Sequence, residues 1–398
     1  MEKISYAKTV YGEDEINAVV KCLRESTQMG SYSRQFEQRI AQLFDRKECL
    51  YVNSGSSALL IGIEAFNFPK KSEVITPALT FGTTLSCITK NDLVPAFVDV
   101  EPLTYCIDVN KIEQMISDKT VAILAPDLLG NVCNWHEIRQ IADQYQLKVI
   151  QDSADTLGSS LNGVSTGSFS DMSITSFYGS HIINCAGNGG ALCLNETEAI
   201  ENAKLLRSWG RSSSLFDEKS EKIENRFNVK LDSLEYDAKF VFEIPGYNLE
   251  GNELGAAFGL VQLEKLEKNI TERISNLEKQ LKFFNKFDSY FFNPVQTKNT
   301  RTALLAFPLL IKNSAPFSRK EFQIFLEKKN IQTRVCFTGN VLRQPMSQNI
   351  EKRVNNEGYP NADTIMQGGV LLPLHHGMTE NMFVRLHDTV EEFLSQYT

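Results

Sequence analysis

The stretch CLYVNSGSSALLIGIEAFNF, residues 49–68, decides the fold. It opens with apolar, β-prone residues, passes through a polar Ser/Gly turn and ends in a long apolar run, so it reads as strand, turn and helix. Outward from it, strand-like runs recur at residues 74–77, 94–100, 121–126 and 149–152, separated by helical patterns such as WHEIRQIADQY. Such alternation builds an α/β domain, a mostly parallel sheet with helices on both faces, and ligands of that class gather beyond the carboxyl ends of the strands.

Upstream, YGEDEINAVVKCLREST and SYSRQFEQRIAQLF are helical, the second with Phe36, Ile40 and Phe44 four apart. Downstream, residues 208–239 are polar and irregular, as a surface loop would be. GNELGAAFGLVQLEKLEKNITERISNLEKQLKFF then places Leu263, Leu266, Ile270, Ile274, Leu277, Leu281 and Phe284 three or four apart. That spacing predicts one long helix, of a length that suits a connector better than a packed core element. The expected organisation is a large domain over 1–250, a connecting helix over 251–288 and a smaller α+β domain over 289–398.

Composition limits the partners. The 398 residues carry 49 acidic against 41 basic side chains, a net charge of −8, which argues against a nucleic-acid surface and requires a local basic pocket for any anionic ligand. Eight scattered cysteines form no CxxC and no zinc or iron–sulfur spacing, so free buried thiols are expected. The N-terminal residues are charged at once, and no apolar run reaches 18 residues, so neither a signal peptide nor a membrane partner is expected and the location reads as cytoplasmic.

Four short motifs carry chemistry. NSGSSA, residues 53–58, offers Gly55, Ser56 and Ser57 at a helix start, where free N–H groups cradle a phosphate or merely cap the helix. TPALTFGTT, residues 76–84, puts Phe81 in a first helical turn, as a plate for a flat ligand or as a core residue. QDSAD, residues 151–155, sets Asp152 and Asp155 directly after an apolar strand, where a carboxylate needs a partner such as a protonated ring nitrogen, or else caps a helix. SFYGSHIINCAGNGG, residues 176–190, holds His181 in a glycine-rich corner, as a working base or a satisfied polar side chain. Together an anion cradle, an aromatic plate and an acidic anchor suit an aromatic phosphate ester with a basic ring nitrogen, and pyridoxal phosphate has that chemistry.

In this order NSGSSAL, TPALTFGTT, QDSADTLG, SFYGSHIINCAGNGG and the later GYNLEGNELGAA resemble the sugar aminotransferases of fold type I, the DegT/DnrJ/EryC1/StrS-like family, over nearly the whole chain. The resemblance implies an aspartate-aminotransferase-like fold, with a mostly parallel seven-stranded sheet in the large domain. It implies pyridoxal 5'-phosphate or pyridoxamine 5'-phosphate as cofactor, with its phosphate at Gly55, Ser56 and Ser176 and at Asn248 from the second subunit of a homodimer. Phe81 would stack on the ring and Asp152 would pair with its nitrogen. Asp155 stands where relatives usually have His or Gln.

The family's Schiff-base lysine is replaced here by His181, which with an ordinary pKa near 6.5 moves protons but cannot hold the cofactor covalently. One branch of the family carries this histidine: dehydratases that remove the 3-hydroxyl of nucleotide-linked 4-keto-6-deoxyhexoses in dideoxysugar and lipopolysaccharide O-antigen biosynthesis. RSWGR (207–211), FTGNVLRQP (337–345) and NADTIM (361–366) resemble that branch too. Its iron–sulfur type clusters cysteines after the RxWGR segment, and no cysteine lies between Arg211 and Gly251, so no such cluster is expected. The implied reaction takes an amino group from L-glutamate and a GDP- or CDP-linked keto sugar, and yields a 4-keto-3,6-dideoxy sugar, 2-oxoglutarate and ammonia. The alternatives are ordinary transamination and a non-catalytic relative. Arg211, Arg226, Arg334 and Arg343 are candidates for the pyrophosphate, and His375 and His376 for the sugar or glutamate pocket, against surface or structural roles.

Overall fold

The computed structural model describes residues 2–216, 223–227 and 229–397. Helices α1 (Glu13–Glu25) and α2 (Ser31–Leu43) lead into β1 (Glu48–Val52) and α3 (Gly55–Ala65). Then follow β2 (Glu73–Pro77), α4 (Gly82–Lys90), β3 (Val94–Val98), β4 (Thr120–Pro126), α5 (Trp135–Tyr145), β5 (Lys148–Asp152), β6 (Met172–Ser176), β7 (Gly190–Leu194) and α6 (Thr197–Arg207). They form a seven-stranded sheet in the order β1-β7-β6-β5-β4-β2-β3, in which β7 alone runs against the rest. The alternating pattern therefore identified the architecture correctly.

Each central strand serves two cores, which is why it is apolar throughout instead of alternating. Val74, Leu124 and Ile150 face the layer holding Leu59, Ile63 and Ile88 from α3 and α4, while Ile75, Ile123 and Val149 face Trp135 and Ile138 from α5. The sheet is thus closed to water on both faces and open at its strand ends.

The expected single helix is two, α7 (Glu253–Glu264) and α8 (Leu266–Phe284), joined at Lys265 with φ −94 and ψ −3. The break has a visible cause. Lys265 Nζ and Gln262 Nε2 both donate to the buried Glu15 carboxylate of α1, each at 2.7 Å from Oε1, and fix the end of α7 against α1 at the break. Nor is α8 a bare connector, since Leu266, Ile270, Arg273, Asn276, Leu277, Gln280, Phe283 and Phe284 are all buried. Its polar stripe covers loops rather than strands. Asn269, Arg273, Asn276 and Gln280 donate to the carbonyls of Ile182, Leu304 and Leu305, His375 and Pro373, which have no ladder to satisfy them.

The irregular loop expected over 208–239 contains a short hairpin, Val229–Leu231 with Leu234–Tyr236; residues 217–222 and 228 lie outside the described residues. Strands β8 (Phe291–Phe292), β9 (Phe307–Ile311), β10 (Arg334–Val335) and β11 (Gly369–Leu372) make a second, antiparallel sheet in the order β8-β9-β11-β10. It packs with helices Arg319–Lys328 and Glu380–Leu394 around Phe284, Phe307, Phe322 and Phe393. Ile4 joins this core by a bridge to Ile331, so the N-terminal segment reaches the C-terminal sheet. All eight cysteines are free and buried. Among the described residues no helix is long and apolar enough to cross a membrane.

Candidate active site

At the carboxyl ends of β4, β5 and β6 lies a cavity of about 280 Å³ whose walls include Gly55, Ser56, Phe81, Asp152, Asp155, Ser176 and His181. Ser54 caps α3 by accepting from the Ser57 N–H at 3.1 Å, and the two hydroxyls lie 2.9 Å apart. Ser57 is thereby engaged locally and stays outside the cavity walls, while Gly55 and Ser56 open α3 at the cavity with its positive end. Two glycines allow the close approach. A Cβ on Gly55 would sit 2.9 Å from the Ser176 Cβ, and one on Gly190 would sit 2.2 Å from the carbonyl carbon of Ser54. The start of α3 and Ser176 therefore lie directly against one another at the cavity wall.

Phe81 occupies the N-cap of α4, one position before the expected first turn, in extended backbone. Its ring is 52% exposed and meets Phe337 edge-on at 5.6 Å, so it is a cavity plate and not a core residue. Asp152 ends β5 and receives only Thr84 Oγ1 and the Ala154 N–H, each at 3.2 Å. No helix begins there, which removes the capping alternative. Burial pushes its carboxyl up to about 6, the mark of an anion with no cation beside it.

His181 is partly buried, its side chain 13% exposed, with Nδ1 3.4 Å from Asp155 Oδ1, an approach that closes no hydrogen bond. Its other ring nitrogen is left to the cavity. Burial first, and then the charge of Arg273, lower the imidazole to about 4, so it is neutral at pH 7. Asp155 accepts from the Leu129 N–H at 3.0 Å, and burial first, then the Asp152 charge, raise it to about 7. A bare Asp–His contact would favour an ion pair; here burial and the nearby cation favour the neutral imidazole. No lysine lines the cavity among the described residues.

Several residues were not foreseen. Asp127, at the cavity wall, accepts from Cys133 N, Trp135 Nε1, Gln151 Nε2 and Thr156 Oγ1, and burial holds it at about 7. Its position after an apolar strand, like that of Asp152, was the available signal. Tyr6 enters from the N-terminal segment, beneath the Arg334 guanidinium at 5.1 Å. The other candidate arginines lie elsewhere: Arg226 on Asp237, Arg343 on Asp363, Arg211 stacked on Trp209 at 4.2 Å. His375 and His376 line no part of the cavity; they pack beside Asn276 and Arg273, as the structural alternative for them has it. Asn248 bridges to Ser208 away from this chain's own cavity.

An anion cradle of backbone N–H groups, an exposed ring and a buried carboxylate without a cation fit pyridoxal phosphate group by group. Fold and site define a fold type I enzyme dependent on that cofactor. The DegT/DnrJ/EryC1/StrS aminotransferase family profile matches residues 10–391, and the chain belongs to that family. It is 32% identical over 395 residues to the lipopolysaccharide biosynthesis protein RfbH of Salmonella typhimurium, covering 96% of this chain and 90% of the relative. Escherichia coli GDP-4-keto-6-deoxy-D-mannose-3-dehydratase, solved with bound hydrated PLP, superposes with a TM-score of 0.88 at 28% identity, over 98% of this chain and 99% of that one. The same dehydratase with a trapped PLP-glutamate geminal diamine gives 0.86 at 28% identity, over 96% and 99%. A transaminase is similar as well: dTDP-3-amino-3,6-dideoxy-alpha-D-galactopyranose transaminase of Aneurinibacillus thermoaerophilus, 28% identical over 365 residues, 92% of this chain and 91% of the relative.

Proposed function

We propose that this enzyme acts on a nucleotide-linked sugar and removes the 3-hydroxyl of a 4-keto-6-deoxyhexose. L-glutamate supplies the amino group, and 2-oxoglutarate and ammonia leave. One observation carries the choice over transamination: among the described residues the cavity presents an imidazole, His181, and no lysine amine. When bound, the cofactor supplies an electron sink for the carbanion. The α3 turn and Ser176 hold its phosphate, and Phe81 covers one ring face. Asp152 keeps the ring nitrogen protonated, which also satisfies its own buried charge. The open nitrogen of His181 takes a proton from carbon and returns it to the departing hydroxyl, a pair of tasks that needs a base neutral at working pH. With His181 where an amine would stand, the described cavity residues offer no nucleophile that would release the substrate early as an amino sugar.

The relatives named for GDP-linked substrate and for glutamate support the same reading. Asn248, away from its own cavity, suits a homodimer in which it completes the phosphate site of the second copy. The test is incubation with pyridoxal phosphate, L-glutamate and a panel of 4-keto-6-deoxy nucleotide sugars, with no reductase, and products read by mass. A deoxy sugar with ammonia is expected; an amino sugar, or a strict need for a reductase, overturns the assignment. Replacing His181→Asn should lower turnover by roughly 100-fold or more while cofactor affinity stays within a few fold.

A further inference from the structure

Asp155, whose Oδ1 lies 3.4 Å from His181 Nδ1, is held from below by a continuous path of hydrogen bonds that starts on α8. Arg273 is fully buried, and its Nη1 donates to the Leu304 and Leu305 carbonyls at 3.0 and 2.9 Å. The Leu305 N–H donates to the Leu129 carbonyl at 2.8 Å, and the Leu129 N–H donates to Asp155 Oδ2 at 3.0 Å. Asp155 Oδ1 then faces His181 Nδ1. Leu129 makes this link in a left-handed conformation, φ +60, which a leucine adopts only under constraint. The constraint is visible. Gly130 follows at φ +90, and a Cβ there would lie 2.6 Å from the Ala303 carbonyl oxygen, while Thr302 Oγ1 donates to the Gly130 carbonyl at 2.6 Å.

We propose that Arg273 is a positioning residue for the base: through the 304–305 carbonyls and the Leu129 turn it fixes the Asp155 carboxylate that orients His181. The reading rests on the proposed use of His181 as base and names what prepares it. Arg273 touches neither cavity nor ligand, yet it spends a whole buried guanidinium on these loops, with Nη2 left unpartnered. Its charge acts in one direction on both partners, favouring the Asp155 anion and opposing an imidazolium at His181. With Asp155 ionised, Nδ1 carries the proton toward it and the outer nitrogen is the free acceptor. The charged and titratable groups facing this pair are Asp152 and Asp127 from the strand ends, Tyr6 from the N-terminal segment, Tyr178 beside the His181 ring, and Arg273 from α8; His375 and His376 lie behind Arg273.

The test needs no substrate. The ring of His181 is followed by NMR in ligand-free protein with labelled histidine, its signal assigned by comparison with His181→Asn. In the parent protein the ring should stay neutral down to about pH 4, with the proton on Nδ1 above about pH 7, where Asp155 is ionised. Arg273→Met should raise the midpoint by about one pH unit, a tenfold change in proton affinity, and Arg273→Lys should restore much of the difference. An unchanged midpoint and tautomer in folded Arg273→Met overturns the proposal. If that variant does not fold, Asp155→Asn reads the other end of the path: loss of the Nδ1–H tautomer preference supports it, and an unchanged tautomer overturns it. Since these readouts use no sugar, their failure is separate from failure of the dehydratase assignment, which only the product assay decides.

Discussion

Burial pushes the acids and the base of this cleft toward their neutral forms, and the two shifts have opposite costs. Asp152 titrates near 6 instead of 3.8, so its charged form is disfavoured in the fold: the protein pays nothing below pH 3.8, and a penalty grows to about 3 kcal/mol above pH 6. Asp152→Asn should therefore raise the Tm of the ligand-free protein at pH 8 and leave it nearly unchanged near pH 4, while tight cofactor binding is lost; calorimetry at both pH values and a cofactor titration check this. Excess cofactor should stabilise the parent at pH 8 more than the variant. The motif positions of Asp152 and His181 were legible because both lie at strand ends. Arg273 was not, since a lone arginine in EKNITERISNLEKQ looks like a solvated face; only the stripe Asn269, Arg273, Asn276 and Gln280, spaced four, three and four, marks that face as buried.

Elements position the site through close backbone approaches that sequence shows only as glycine. Strand β7 lies against the start of α3 so tightly that Gly190→Ala must displace the Ser54–Gly55 peptide. That change should weaken cofactor binding by roughly tenfold or more and destabilise the fold by about 2 kcal/mol, read by cofactor titration and urea unfolding. Ser54→Ala removes the α3 cap and one hydroxyl at the cavity wall without a backbone clash, and should cost about 1 kcal/mol of stability. The comparison of the two separates a shape requirement from a capping contribution. The sheet was readable from apolar runs, because a strand buried on both faces has no other composition. The α7–α8 break was not, because apolar spacing runs unbroken through Lys265 and the cause, the Glu15 carboxylate, is 250 residues away.

At the scale of the molecule, the α1 face with Ile16, Val20 and Leu23, and the region of Phe227, Leu234, Phe240 and Phe242, are exposed apolar surface. Such surface is what a second copy would cover. Sedimentation should give a dimer, and Asn248→Asp should weaken cofactor binding through phosphate repulsion. A hybrid dimer of His181→Asn and Asn248→Asp chains then holds one intact site and should recover up to half of the parental turnover; recovery of none would place Asn248 in its own subunit's function. Nothing in the sequence marks this surface, because exposed aromatics become visible only when the folded chain leaves them uncovered.

The first ten residues impose an order on biosynthesis. Ile4 pairs with Ile331, Tyr6 enters the cavity wall, and Thr9 Oγ1 donates to the Gly179 carbonyl on the turn that carries His181. Residue 4 can therefore dock only once a partner more than 300 residues further along the chain has been made. The central sheet draws all its strands from residues 48–194, so it can form while the cleft still lacks this wall, and the cleft is complete only after Ile331 is in place.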